Sequence, residues 1–259
     1  MYFLFPSYQG INEATMKQTI PDGVYPTLIT PYEEDGSIDW NALEALIEWH
    51  IARGVAGFFA VCQSSEMFHL TLRERLELAR MSIKFAQGRV PVLVSGHVAD
   101  TLYDQIEEAK MMADTGADAL ILVTNRLAGR YESDDILKRN LEAFLTAFQN
   151  DILLGFYECP APYKRLLNAD LVQFIVKTRR FGFLKDTSCR VGDMQAKIEA
   201  AKGSNFKLFN ANAATLLASL QKGAAGYSGI MTHFHSDLYV WMCKHWNDQP
   251  DRALELQDF

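Results

Sequence analysis

The chain has little of what would tie it to nucleic acid, to a membrane or to a metal. Its 259 residues carry 25 lysines and arginines against 32 aspartates and glutamates, a formal net charge of −7, and the basic residues form no run. Such a distribution offers no electrostatic footprint for a nucleic-acid backbone or an anionic bilayer. No segment supplies the roughly 20 uninterrupted apolar residues that a membrane-spanning helix needs. Cysteine is scarce, and Cys62, Cys159, Cys189 and Cys243 fall into neither a CxxC nor a zinc-ligand spacing. Reduced thiols in a cytoplasmic protein are the expectation, and a disulfide scaffold is not implied. Neither a G-x-G-x-x-G loop nor a P-loop follows any apolar run, so nothing invites a dinucleotide or a nucleotide phosphate. The opening Met1-Tyr2-Phe3-Leu4-Phe5-Pro6 is apolar but has no basic n-region and no small-residue cleavage site. It reads as an extension, residues 1–22, ahead of the first domain.

What is present is a repeat of short apolar runs and longer amphipathic ones. With 49% hydrophobic and 22% charged residues the chain can bury one large core. Candidate strands are 24–31, 57–62, 90–97, 119–125, 152–157, 181–188, 206–212 and 223–231. Between them apolar residues recur at helical spacing, as in Trp40, Leu43, Leu46 and Ile47, closed by the stop signal Arg53-Gly54. Successive strands begin about 30 residues apart, the length of one βα unit, and eight such units predict a closed (β/α)8 TIM barrel. A doubly wound open sheet is the alternative, disfavoured by the missing phosphate loops. The expected division is an extension over 1–22, a barrel over 23–234, and over 235–259 the start of a C-terminal helical region.

In a barrel of this kind the active site is built at the C-terminal ends of the strands. The sixth run, Phe181-Gly182-Phe183-Leu184-Lys185-Asp186-Thr187-Ser188, places one lysine in a buried frame. A lysine there is paired, for example with Asp186, or sits at an exposed tip, or has a depressed pKa that frees the amine to attack a carbonyl. Tyr157, at the end of the neighbouring fifth run, is either a core aromatic or a proton carrier beside that amine. Ser64 and Ser65 either cap a turn or hold a carboxylate together with backbone amides. Gln63 and Ser228 stand at the ends of the second and eighth runs as further substrate contacts. Glu66 reads as structural and His97 as a packing or hydrogen-bonding residue. The pair His233 and His235 is weak as a metal site, and no metal or organic cofactor is expected.

These residues resemble the family of dihydrodipicolinate synthase and N-acetylneuraminate lyase. The likeness runs from Gly23 to about His233 through Thr27-Leu28-Ile29-Thr30-Pro31, Asp35-Gly36-Ser37-Ile38-Asp39, Leu70-Thr71, Glu74-Arg75, Gly88-Arg89-Val90-Pro91-Val92, Tyr157 to Pro160 and Leu184-Lys185-Asp186. The resemblance implies a class I aldolase or lyase that is cofactor-free, cytoplasmic and homo-oligomeric, a dimer or tetramer. Its substrate would be a 2-oxo acid such as pyruvate, or a sugar acid. Lys185 would form the Schiff base and Tyr157 would be the general acid and base. The family's G-T/S-T-G-E motif falls on Cys62-Gln63-Ser64-Ser65-Glu66, which makes Ser64 the residue that grips the carboxylate. Two departures argue against dihydrodipicolinate synthesis itself: Asn125-Arg126-Leu127 lacks the relay tyrosine, and Pro162 stands where the synthase has an arginine for the aldehyde's carboxylate. Arg126 or Arg130 could supply another anion contact. The rival readings are an oxo-acid-binding barrel without turnover and a dehydratase or decarboxylase that uses the same imine.

Overall fold

The computed structural model describes residues 19–259. The extension expected over 1–22 therefore lies, up to Gln18, outside the described residues. Eight parallel strands follow in chain order: β1 (Gly23–Val24), β2 (Phe58–Ala60), β3 (Val92–Val94), β4 (Ala119–Val123), β5 (Leu153–Tyr157), β6 (Phe181–Asp186), β7 (Lys207–Asn210) and β8 (Gly226–Tyr227). They pair in the order β1-β8-β7-β6-β5-β4-β3-β2. The ring closes where the chain just past β1 meets β2. Thr27 bridges to Phe59, Leu28 N–H donates to Phe59 O at 3.0 Å, and Phe59 N–H donates to Pro26 O at 2.9 Å. This is the (β/α)8 barrel the sequence predicts, and not an open sheet.

Among the described residues ten helices surround it: α1 (Trp40–Ala52), α2 (Leu72–Ala86), α3 (Leu102–Ala113), α4 (Thr124–Leu127), α5 (Asp134–Ala147), α6 (Ala169–Lys177), α7 (Val191–Ala200), α8 (Leu216–Gln221), α9 (Thr232–His245) and α10 (Pro250–Asp258). Local chemistry sets their ends. The Asp39 side chain accepts the Ala42 N–H to start α1, and Gly54 takes φ +79° after its last turn. Thr71 and Glu74 form a reciprocal capping box on α2. In α9 the backbone leaves helical geometry at His235, so a regular helix begins only at Ser236.

The strands are shorter than their apolar runs. The run over 24–31 contributes only Val24 to β1, and beyond it a single bridge, Thr27 to Phe59, ties the chain to β2. At the end of β4 the chain turns at once into α4, so Thr124 and Asn125 are helical where the pattern extends the strand. Burial on both sides keeps such segments apolar after ladder pairing ends, and the period of two cannot mark where that happens.

The floor of the barrel is aromatic. Tyr25, Phe183 and Phe209 pack with ring centroids 4.6–5.7 Å apart, and Phe59 joins Phe183 at 6.2 Å. Small residues make room for these rings: a Cβ on Gly57 would lie 2.2 Å from the Tyr25 ring. The β1–β8 seam is equally tight, since a Cβ on Gly226 would sit 1.8 Å from the carbonyl oxygen of Gly23. Each fully buried ring contributes about 1.5–3 kcal/mol of transfer free energy. All four rings are fully buried, so they close the base of the barrel.

Candidate active site

Directly above the aromatic floor, β5 and β6 run in register with Tyr157 opposite Lys185. Side chains alternate along a strand, so Gly155 and Tyr157 on β5, and Phe183 and Lys185 on β6, point inward together. The Lys185 ammonium lies 4.6 Å from the Tyr157 ring centroid and 5.4 Å from that of Phe59. Only 3% of Lys185 is exposed, and no carboxylate pairs with it among the described residues. Burial pushes its pKa down to about 8, against a smaller opposing pull from the Cys62 and Cys159 thiols. Asp186, the neighbour that could have neutralised it, points the other way and bonds Lys197.

Burial holds the Tyr157 phenol well above its ordinary pKa, with Cys159 and Cys62 adding to the shift. The phenol therefore keeps its proton at neutral pH. It donates to Gln63 Oε1 at 3.4 Å, and the Cys159 thiol donates to the same oxygen at 3.3 Å. Gln63 thus touches Tyr157, but its carbonyl oxygen can only accept and passes no proton onward.

The second strand leads into this site through an unusual turn. Val61 adopts φ +51° and Glu66 φ +60°, on either side of a single 3₁₀ turn, Gln63–Ser65. A β-branched residue in the left-handed region is a strained conformation of order 1–3 kcal/mol. Ser64 Oγ donates to Thr27 Oγ1 at 3.2 Å, which brings it to the inner face of the barrel beside β1. His233 Nε2 donates to the Thr27 carbonyl at 2.5 Å and completes this small cluster. Ser65 is separate. Its hydroxyl donates to Leu28 O at 2.5 Å and accepts the Cys62 N–H at 3.2 Å, fully buried, so it fastens the turn and faces no cavity. Glu66 is exposed and accepts the Tyr32 phenol at 3.4 Å. Ser228 follows β8 with a buried hydroxyl that has no partner among the described residues.

The other polar residues at the strand ends are structural. His97 accepts the Val123 N–H at Nδ1, 2.9 Å, and so donates from Nε2 to Gln105 at 3.0 Å. That tautomer is neutral, and burial lowers its pKa to about 4. Asn125 donates to the carbonyls of Cys159, Ala161 and Tyr163 and pins the loop after β5. Arg126 pairs with Asp100 at 2.6 Å, and the Arg130 guanidinium lies over the exposed Tyr131 ring. Neither arginine is aimed at Lys185. With His233 turned to Thr27, the His233 and His235 pair forms no metal cluster, and no group of three His, Cys, Asp or Glu residues forms one among the described residues. No helix among them is long and apolar enough to cross a membrane.

Sequence reasoning missed Thr27, Cys159 as a partner of Gln63, and the buried pairing of Lys197 with Glu158 and Asp186. Glu158 follows Tyr157 directly, and an acid in an apolar run was the available signal.

Comparison with known proteins agrees with this architecture. The chain is 26% identical over 225 residues to 4-hydroxy-tetrahydrodipicolinate synthase of Shewanella piezotolerans, covering 86% of this chain and 74% of that protein. The enzyme of the same name from Acidithiobacillus ferrooxidans is 27% identical over 221 residues, with 85% and 74% covered. Among solved structures, YagE, a prophage protein of the dihydrodipicolinic acid synthase family from E. coli K12 in complex with pyruvate, superposes with a TM-score of 0.82 at 25% identity, over 92% of this chain and 79% of that one. The Bacillus anthracis dihydrodipicolinate synthase DapA-2 shares the fold with a TM-score of 0.84 at 19% identity, over 93% and 81%. The profile of the dihydrodipicolinate synthetase family matches residues 20–258, and the chain belongs to that family of carbon–carbon lyases of the class I aldolase type.

Proposed function

We propose that the protein is a Schiff-base lyase or aldolase acting on a 2-oxo acid, with Lys185 as nucleophile and Tyr157 as proton carrier. The observation that carries this reading is a buried lysine without a counter-ion, set against a protonated phenol on the adjacent strand. Burial without a partner favours the free amine, which is the form that attacks a ketone. The amine adds to the carbonyl carbon, Tyr157 protonates the departing oxygen, and water leaves as the imine forms. The Tyr157 phenolate then takes the proton of the substrate hydroxyl two carbons from the imine as the carbon–carbon bond between them breaks, and the protonated imine accepts that bond's electron pair. The carbonyl fragment leaves, and Tyr157 passes the proton to the enamine carbon before water hydrolyses the imine. Ser64 binds the substrate carboxylate, helped by backbone amides of the turn. Gln63 orients the phenol, and the unpartnered Ser228 hydroxyl serves the substrate from β8. Pyruvate bound to YagE supports the choice of a 2-oxo acid.

The same site argues against dihydrodipicolinate synthesis. Leu127 is buried in α4 where a relay phenol would be needed, Pro162 carries no charge, and Arg126 is engaged by Asp100. Losing a charged contact to substrate removes a few kcal/mol, a hundredfold or more in rate. Condensation of pyruvate with aspartate semialdehyde at ordinary enzymatic rates would refute this exclusion.

The reading is tested by incubating the protein with pyruvate and borohydride and mapping the label. One reduced pyruvate adduct on the peptide containing Lys185, absent in Lys185→Ala, is the expected result. A label on a different lysine, with none on Lys185, overturns it.

A further inference from the structure

The residues that follow Tyr157 and Lys185 face outward and meet one side chain. Lys197, on α7 and 2% exposed, donates to Glu158 Oε1 at 2.5 Å and to Asp186 Oδ2 at 2.6 Å. Both carboxyl groups also accept local bonds. Glu158 Oε1 accepts Leu167 N–H at 2.8 Å, Glu158 Oε2 accepts Thr187 N–H at 3.0 Å, and Asp186 Oδ1 accepts both N–H and hydroxyl of Ser188 at 2.8 and 2.6 Å. The backbone adds Glu158 N–H to Lys185 O at 3.2 Å, and the Thr187 hydroxyl donates to Glu158 O at 2.6 Å. Both strand tips are thereby tied to each other and to α7.

A buried ion cluster is weak evidence for stability, because desolvation, which pushes the Glu158 pKa up to about 7, offsets much of the attraction between Lys197 and the two carboxyl groups. Well-packed apolar residues would hold α7 against β5 and β6 at least as firmly. What a charged cluster with this many directed bonds adds is angular definition. On a strand the inward and outward side chains are coupled through the backbone, so a twist that moved Glu158 or Asp186 would swing Tyr157 or Lys185.

We infer that Lys197, Glu158 and Asp186 are positioning residues, an outer lock on the tips of β5 and β6 that holds the Tyr157 phenol and the Lys185 amine face to face inside the barrel. This rests on the role proposed for those two residues. The lock touches neither substrate nor reacting atoms, and it acts only through the backbone of the next residue in each strand.

Two measurements on the whole chain test it: the rate of pyruvate trapping at Lys185 by borohydride, and amide hydrogen exchange at 157–159 and 185–188 against 153–155 and 181–183. In Lys197→Met, exchange should rise at the tips and not at the strand bases. Trapping at saturating pyruvate should fall by about a hundredfold, the effect of a misplacement of about 1 Å, while half-saturating pyruvate changes far less. Glu158→Gln and Asp186→Asn keep the shape and weaken the charge pairing, and should fall between wild type and Lys197→Met. They carry the comparison if Lys197→Met does not fold. Folded variants that trap pyruvate as fast as wild type, whether or not their tips loosen, overturn the positioning role. Absence of label at Lys185 in the wild type is a different failure: it removes the proposed function and the positioning role with it.

Discussion

Two lysines, twelve positions apart in sequence and equally buried, sit on opposite sides of the same strand tip. Lys197 lies on the outer side between two carboxylates, which raise its pKa against the desolvation that lowers it. Lys185 lies on the inner side among aromatic rings and thiols, where desolvation dominates and the pKa falls to about 8. Burial alone therefore decides nothing about a lysine's charge; the partners do. One wall of the barrel spends its carboxylates on geometry and leaves the amine on the other face unneutralised.

The sharpest way to break this contrast is to remove each lysine in turn. Lys185→Ala should abolish pyruvate labelling altogether while leaving stability within about 1 kcal/mol of wild type or above it, since the lost ammonium had no partner. Labelling is read by peptide mass and stability by denaturant titration. Tyr157→Phe keeps the ring against Phe59 and removes the proton, so turnover in an aldol-cleavage assay should fall by about a hundredfold to ten-thousandfold with little change in oxo-acid affinity. Lys197→Met strands two buried carboxylates, and chemical denaturation should show a loss of about 3–5 kcal/mol.

Proton linkage sharpens the same comparison. The pKa of Lys185 is about 8 in the fold and 10.5 unfolded, so between those values the unfolded chain binds the extra proton and stability rises with pH. The gain is at most about 3 kcal/mol and is complete only above the unfolded value. For Lys197 the sign is reversed. Its folded pKa is raised, so its contribution is fully present below the unfolded value and is lost as pH climbs through the folded one. In a pH series of urea midpoints the advantage of Lys185→Met over wild type should narrow as pH climbs from about 8, whereas Cys243 and the buried tyrosines Tyr25 and Tyr227, whose pKa values are raised, lower both proteins' stability alike over the alkaline range. The smallest effect is expected at Lys202, whose side chain is 72% exposed and pairs with Glu199; Lys202→Met should shift the midpoint by no more than a few tenths of a kcal/mol.

The two lysines were not equally legible in the sequence. Lys185 stands out because an apolar β run frames it and Tyr157 ends the preceding strand, and the eight-unit spacing then aligns them. Lys197 reads as an ordinary helix lysine, since its partners lie 11 and 39 positions away and the register that gathers them is tertiary. Ser65 shows the converse difficulty: a serine in a turn looks the same whether it faces a substrate or, as here, the Leu28 carbonyl. The strands are shorter than their apolar runs for a related reason, because the hydrophobic pattern records burial and not ladder hydrogen bonds.

The sealed aromatic floor of Tyr25, Phe59, Phe183 and Phe209 has a kinetic consequence. With no exit below, everything enters and leaves past the rim. In the proposed reaction the fragment joined to Lys185 is the deepest part of the substrate, and whatever is cleaved from it lies between it and solvent. Product departure must then be ordered, the detached fragment first and the oxo acid last, so the oxo acid should inhibit the cleavage direction competitively and the other product noncompetitively.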